Sequence, residues 1–419
     1  MKNSSSHFLD FFRSPRFPIF MIVFVDMLGL GITLPVLPLF AKNQLHAEAW
    51  QITTLTSVYF VAQFFASPWL GRLSDRIGRR PVLILSQAGT LLGLLLTGLA
   101  PTILVIYLAR LIDGFTGGNI SVAQAYLSDI TEEQDRARGL GIVNASFALG
   151  FIFGPAFGSV MASFFGPRVP FFIAGGVSVL TILLSTFLLP ESLPDDRRKL
   201  EKAVAAERPR PSGLALLRIP AVALLLFIAF GSQFAFFSFQ TVYVLWAERL
   251  VFAGFSDTFV QQAVGAILTF VGICGIITQF WLVAPFVRLF GEKKLVIGGN
   301  LARAGAFVAM ALSPTIVVAV LSIPFLAIGG GVSLPALIAL LTYAAPPGER
   351  GQVIGLNQSV AAIGSILGPI LSGFLFQNVS PAAPMVAAAI LMGTTVLIGL
   401  NIFRLPIYKS TPSSAPSNP

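Results

Sequence analysis

Charge is scarce in this sequence. Only 11% of its 419 residues are Asp, Glu, Lys or Arg, whereas a soluble globular protein carries about 25%. Cys274 is the single cysteine, so no disulfide can form within the chain. The two histidines, His7 and His46, lie outside the apolar segments, and we expect no metal site. Because 55% of the residues are hydrophobic, this composition indicates a chain whose solvent is largely lipid.

Motifs typical of enzymes are also missing. Ser, Cys and His nowhere form a credible nucleophile arrangement, and no glycine-rich phosphate loop is found. The net charge is +9, but the basic residues stand at the ends of apolar runs. That placement is typical of membrane-protein loops rather than of a nucleic-acid surface. We therefore expect neither an enzyme nor a nucleic-acid-binding protein, and no cofactor. The first apolar run is long enough to span a membrane, so we also expect no cleavable signal peptide.

Long apolar runs dominate what is present. A membrane-spanning helix needs about 20 apolar residues, and twelve such runs are predicted. They are residues 17–40, 51–71, 81–100, 102–127, 140–163, 170–190, 219–246, 262–284, 295–313, 315–344, 352–376 and 382–403. An even number of spans places both termini on one side of the membrane.

The basic residues predict which side that is. Lys and Arg concentrate in the connections on the side of the termini, whereas the opposite side has only Lys42, Arg168 and Arg249. Cytoplasmic loops carry such an excess of positive charge. We expect a multi-pass protein of the cell membrane (the inner or plasma membrane) with both termini in the cytoplasm.

A polar linker and an internal repeat divide the chain. Residues 191–218 form the only long polar segment, which separates an N-terminal part, 1–190, from a C-terminal part, 219–419. Gly154-Pro155 recurs as Gly368-Pro369, and Gly78 recurs as Gly291 at nearly the same offset. Two parallel six-span halves with a substrate site near the midplane are a transporter architecture. The predicted fold is an all-α membrane protein with twelve transmembrane helices in two pseudo-symmetric six-helix bundles.

The most charged stretch lies between the second and third runs. Residues 71–80 read Gly-Arg-Leu-Ser-Asp-Arg-Ile-Gly-Arg-Arg. The stretch resembles the G-x-L-x-D-R-x-G-R-R signature of the major facilitator superfamily at every fixed position. The resemblance implies that Asp75 docks on the N-terminus of span 11 and latches an inner gate; the alternative is that these charges only set the topology. The predicted gate residues are Gly71, Asp75, Arg76, Gly78, Arg79 and Arg80.

Other motifs narrow the resemblance. Span 4 resembles the family's intramembrane arginine motif, and span 5 resembles its glycine-proline "antiporter" motif, with Ser159 in place of the last glycine. Span 1 is similar to the opening of twelve-span drug:proton antiporters, including the tetracycline-efflux branch. Arg303 and Gly275 stand where that branch usually has an acid and a histidine. The predicted helix-bend residues of span 5 are Gly150, Gly154, Pro155 and Gly158.

Three ionisable residues lie inside the first spans. Asp26 lies about 14 Å deep in span 1, and Arg110 lies about 12 Å deep in span 4 from the other face, at 1.5 Å per residue. Asp113 is one turn from Arg110 on the same helix face. A carboxylate at such depth is costly and is a functional-site hypothesis by default. We predict that Asp26, Arg110 and Asp113 couple transport to protons; the alternative is a static ion pair that holds spans 1 and 4 together.

Polar and aromatic residues within the spans are candidates for a substrate cavity. Any one of them can instead be a hydrogen bond between helices or ordinary packing. The predicted cavity residues are Phe60, Gln63, Asn144, Phe147, Gln233, Phe236, Gln240 and Asn357.

The resemblance implies a secondary active transporter. We expect a proton-coupled antiporter that exports hydrophobic or cationic small molecules by alternating access, driven by the proton gradient and acting as a monomer in the bilayer. The alternatives are a metabolite or nutrient symporter or facilitator of the same fold, and a non-transporting receptor built on it.

Overall fold

Helices account for nearly all of the regular structure. The computed structural model describes residues 14, 16–117, 119–131, 136–193, 213–346 and 349–405. Within these ranges no β-strand is found. The prediction of an all-α membrane protein is confirmed.

The first six predicted spans appear as seven helices, because span 4 is divided. Its first part ends at Thr116, where the backbone N–H of Gly117 bonds the carbonyl of Gly114. A glycine inside a helix costs about 1 kcal/mol relative to alanine, which favours an end at this point. The helices are α1 (Arg16–Leu45), α2 (Ala49–Ile77), α3 (Arg79–Leu99), α4 (Ile103–Thr116), α5 (Asn119–Ile130), α6 (Arg136–Phe165) and α7 (Val169–Leu188).

The second group begins with a 3-10 turn, Gly213–Arg218. Two of its spans contain π turns, Ala247–Val251 at the end of span 7 and Thr278–Leu282 within span 8. A 3-10 turn, Leu400–Phe403, follows the last helix. The helices are α8 (Pro220–Trp246), α9 (Asp257–Ile277), α10 (Val283–Phe290), α11 (Glu292–Leu312), α12 (Ile316–Ala344), α13 (Arg350–Asn378) and α14 (Ala383–Gly399).

Helical segments therefore lie at all twelve predicted positions. Eleven helical stretches of the described residues are long and apolar enough to cross a membrane. The remaining helix, α2, has 29 residues and is long enough, but its Thr, Ser and Gln residues lower its mean hydropathy.

Two compact units are found, and three of their boundaries fall inside the helices α8, α9 and α13. The first comprises Met1–Pro209, Gln240–Ile273 and Pro369–Pro381; the second comprises Arg210–Phe239, Cys274–Gly368 and Ala382–Pro419. The predicted division into 1–190, 191–218 and 219–419 stays a prediction.

Each unit has its own apolar core. In the first unit, buried residues such as Ile22, Leu70 and Val82 pack together. In the second unit, Leu225, Val296 and similar residues do the same. These cores hold the helices that carry the buried polar residues described next.

Candidate functional site

The first unit brings the predicted proton-coupling residues into one cluster. Arg110 Nη1 lies 3.2 Å from Asp113 Oδ2, and the two residues are one turn apart on α4. From α3, the hydroxyl of Thr90 donates to Asp26 Oδ1 on α1 at 3.3 Å. Arg110 and Asp113 are only 4% and 9% exposed, so the charges are held inside the protein. The coupling role of these residues stays a prediction.

A small cavity joins the members of this cluster. Its empty space, including the opening to solvent, is about 270 Å³. Nε and Nη2 of Arg110 are buried, and neither has a hydrogen-bond partner in the part of the chain that the structure describes. When both carboxyl groups are ionised, Asp26, Asp113 and Arg110 together carry one negative charge, and uptake of one proton makes them neutral. The polar residues that line the cavity are Asp26, Thr33, Tyr59, Thr90, Arg110 and Asp113.

Tyr59 and Thr90 belong to this site but were not predicted from the sequence. Tyr59 reaches the cluster because α2 and α4 cross closely: a Cβ on Gly114 would lie 2.3 Å from the carbonyl oxygen of Tyr59. The side-chain amide of Gln63 donates to Gly117 O at 2.7 Å and to the Tyr59 hydroxyl at 3.2 Å. Gln63, a predicted cavity residue, thus fixes the α2–α4 contact in this structure.

The other predicted cavity residues are distributed over both units. In the first unit, Phe60 packs edge-on against Tyr59, Phe147 stacks on Phe151, and Gln240 is buried. In the second unit, Gln233 is half-buried, Phe236 is exposed and Asn357 is buried. The side chain of Asn144 lies outside the described residues. A shared substrate cavity stays a prediction.

The charged stretch 71–80 is built around a buried arginine. It runs from Gly71 at the end of α2, through Gly78, whose φ of +109° favours glycine, to the start of α3. Arg79 is 8% exposed and pairs with Asp75 one turn earlier. Its Nε also lies 3.2 Å from Asp129 Oδ2. Arg76 is exposed.

Glu191 completes this cluster at the beginning of α3. Its carboxylate accepts the backbone N–H groups of Arg79 at 2.8 Å and Arg80 at 3.2 Å. The hydroxyl of Ser192 donates to Asp129 at 3.1 Å. The sequence signal for Asp129 and Glu191 was their place in short polar segments next to spans. The predicted docking of Asp75 on the N-terminus of span 11 stays a prediction.

The glycines of the predicted helix-bend motif face α1. A Cβ on Gly150 would lie 2.6 Å from Met27 Cβ, and a Cβ on Gly154 would lie 2.6 Å from Gly31 Cα. A Cβ on Gly31 would in turn lie 3.0 Å from Pro155 Cδ. Gly158 continues the same contact one turn later, against Ile32. The backbones of α1 and α6 therefore touch along the motif, whose role as a bend stays a prediction.

Polar contacts join distant segments of the first unit near the C-terminal end of α1. Asn43 Nδ2 donates to Asp257 Oδ2 at 3.1 Å. Gln377 Nε2 donates to Glu48 Oε2 at 2.8 Å. These contacts join segments more than 200 residues apart in sequence, and the motifs gave no sign of them.

The comparisons with known proteins agree with this architecture. The sequence profile of the Major Facilitator Superfamily matches residues 19–277 and 254–419. The class D tetracycline resistance protein of Salmonella ordonez is 32% identical over 92% of this chain and 93% of its own. The class C tetracycline resistance protein of Escherichia coli is 31% identical over 83% and 86%. Multidrug resistance protein 2 of Bacillus subtilis is 30% identical over 85% and 87%.

Solved structures share the fold at lower identity. The nucleoside transporter NupG has a TM-score of 0.74 and 17% identity, covering 94% of this chain and 100% of its own. The human organic anion transporter MFSD10 has a TM-score of 0.65 and 21% identity, covering 92% and 98%. The resemblance inferred from the motifs is thus confirmed, and the chain belongs to the Major Facilitator Superfamily of non-enzymatic transport proteins.

Proposed function

We propose that this transporter is a proton-coupled antiporter that exports hydrophobic or cationic small molecules. The names of the relatives, tetracycline and multidrug resistance proteins, support an exporter of such compounds. The proposal places the protein as a monomer in the cell membrane with both termini in the cytoplasm. The proton gradient is its energy source, and it needs no cofactor.

The observation that carries the proposal is the contact between Asp26, Thr90 and the Arg110–Asp113 pair around one cavity. A carboxylate buried among helices binds a proton more readily than one in water, unless a cation balances it. Asp113 is paired with Arg110, and we assign the proton-binding role to Asp26. In the proposed cycle, Asp26 binds a proton on one side of the membrane and releases it on the other.

The charge of the site explains why the proton and the compound would bind in turn. With Asp26 ionised, the cluster attracts a cationic compound; with Asp26 protonated, the attraction is lost and the compound leaves. A compound and a proton that favour different charge states of one site exclude each other, and exchange needs that exclusion.

Reconstitution into liposomes with an imposed pH gradient tests the proposal. Addition of a cationic dye should drive proton movement opposite to the dye in the wild type. Asp26→Asn should abolish the pH dependence, whereas Glu292→Gln, which changes a carboxylate at the start of α11, should retain it. Coupling that survives in Asp26→Asn and disappears in Asp113→Asn would move the proton site to Asp113. Proton movement in the same direction as the compound would instead indicate a symporter.

A further inference from the structure

Arg303 is a buried cation in the second unit. It is the twelfth residue of the 21-residue helix α11 and is 5% exposed. Its Nη2 donates to the backbone carbonyl of Ser232 on α8 at 2.9 Å. A guanidinium has five N–H donors, so this contact occupies a small part of its capacity.

The described residues of the second unit offer Arg303 no carboxylate among the helices. Their acidic residues are Glu292 and Glu349, at or just before the first residues of α11 and α13. Glu292 is eleven residues from Arg303 in the same helix, which is about 16 Å along the axis. Burial of a charge is costly unless a partner balances it. Among the described residues of the second unit, Arg303 is therefore a buried cation without a carboxylate nearby.

Asn300 adds a second donor on the same face of α11. It is completely buried, and its Oδ1 accepts a hydrogen bond from the hydroxyl of Ser232 at 3.3 Å. Its Nδ2 is buried and has no hydrogen-bond partner among the described residues. Residues three apart lie side by side on a helix surface. Asn300 thus presents an N–H group that has no acceptor among the described residues, on the same helix face as the Arg303 guanidinium.

The crossing of α11 and α12 leaves room for the arginine. A Cβ on Gly329 would lie 2.5 Å from Gly299 O and 3.0 Å from Arg303 Cγ. Glycine at both positions brings the two backbones together and lets the stem of Arg303 cross α12. Any larger residue at position 329 would collide with it.

We propose that Arg303 and Asn300 form a binding site for a carboxylate group of a transported compound. The planar guanidinium fork matches the two oxygens of a carboxylate, and an amide N–H adds a third donor. The bound group supplies the missing counter-charge and the missing acceptor at once. This inference rests on the proposed function insofar as the ligand is an exported compound. It extends the substrate range to molecules that combine a hydrophobic or cationic body with an acidic group.

A matched pair of dyes tests the site directly. One is a cationic rhodamine with a free benzoate group, and the other is the methyl ester of the same dye. Binding of both to the purified full-length protein is measured by fluorescence polarisation, and the readout is the ratio of their affinities. We expect the wild type to favour the acid at least about tenfold over the ester, a preference that a charge-assisted hydrogen-bonded contact is strong enough to give.

Variants then assign the preference to the two residues. Arg303→Gln should bring the ratio close to one, and Arg303→Lys should leave an intermediate ratio, because the charge remains while the fork is lost. Asn300→Ala should reduce the ratio about three- to tenfold, as expected for the loss of one typical hydrogen bond. Lys294→Gln removes an exposed positive charge from the same helix and should retain the wild-type ratio.

Two outcomes would overturn the proposed carboxylate site. A wild type that binds acid and ester alike, or variants that lower the melting temperature while leaving the ratio unchanged, would show that Arg303 is only structural. Because the ratio is measured without a pH gradient, it separates this site from the proton-coupling proposal. Preference for the acid without proton-driven transport would support the site and overturn the antiporter.

Discussion

Lys42 on α1 and Glu248 in the π turn after α8 form an ion pair, with 2.6 Å between Nζ and Oε1. Their side chains are 43% and 15% exposed, so the contact lies near the surface. Such pairs contribute at most about 1 kcal/mol, which corresponds to about a fivefold change in a two-state equilibrium. Lys42→Glu should therefore increase the population with α1 and α9 further apart by up to about fivefold. Distances between spin labels on the two helices measure that population.

The double variant is the control for this prediction. Lys42→Glu combined with Glu248→Lys restores opposite charges at the same positions and should recover the wild-type distances. If the single and double variants give the same distribution, the ion pair does not contribute to closure.

The ionisation of Glu48 gives the second prediction, which is that the stability of the same end depends on pH. Hydrogen bonds from Gln377 and from the indole of Trp50 hold the pKa of Glu48 below its ordinary value of 4.5. Because this pKa is lowered, the contacts of Glu48 stabilise this end of the first unit above pH 4.5. That stabilisation is lost as the pH falls through the pKa of Glu48 in the folded protein. Fluorescence of Trp50, with the other three tryptophans changed to Phe, should report a transition below pH 4.5.

Gln377→Ala checks the cause of that transition. Loss of the largest hydrogen-bond contribution should raise the pKa of Glu48 towards 4.5 and move the midpoint to higher pH. A midpoint that does not move would assign the transition to another group.

The sequence was sufficient to predict the spans, whereas the role of the proton-coupling residues stays a prediction. Long apolar runs report helices that cross a membrane, and depth along a helix follows from residue position, so Asp26 and Arg110 were predicted to lie at similar depth. Tyr59 and Thr90 were not predicted, because a neutral polar residue in a span does not reveal which neighbour it faces. That information depends on the crossing of α2 and α4 at Gly114.

Contacts between segments that are distant in sequence are a second feature that could not be predicted from the sequence. The carboxylate of Glu191 accepts the N–H of Arg79 from 112 residues further along the chain. Neither residue differs in type from other charged residues next to spans. Only the folded backbone places the loop after α7 against the first turn of α3.

The contact at the start of α3 gives the third prediction. Glu191 accepts two backbone N–H groups that no helical carbonyl can reach, and its charge faces the positive end of the helix dipole. Glu191→Ala should lower the free energy of unfolding by about 1 kcal/mol, the usual effect of losing such a cap. Thermal unfolding in detergent measures it. Glu191→Gln retains the acceptor without the charge and should give an intermediate loss; equal stability of all three proteins would exclude a capping role.

The close contact between α1 and α6 gives the last prediction. A methyl group at position 154 would lie 2.6 Å from the Cα of Gly31, a backbone atom that cannot rotate away. Gly154→Ala should therefore force the two helices apart and lower the free energy of unfolding by about 1–3 kcal/mol, as overpacking does.

Gly141→Ala is the matched control on the same helix, because a Cβ there meets no atom within 4 Å. In an exposed helix position alanine is favoured over glycine by roughly 1 kcal/mol, so Gly141→Ala should raise the melting temperature while Gly154→Ala lowers it. A higher melting temperature in both variants would mean that helix propensity, not the approach of α1, decides their stability.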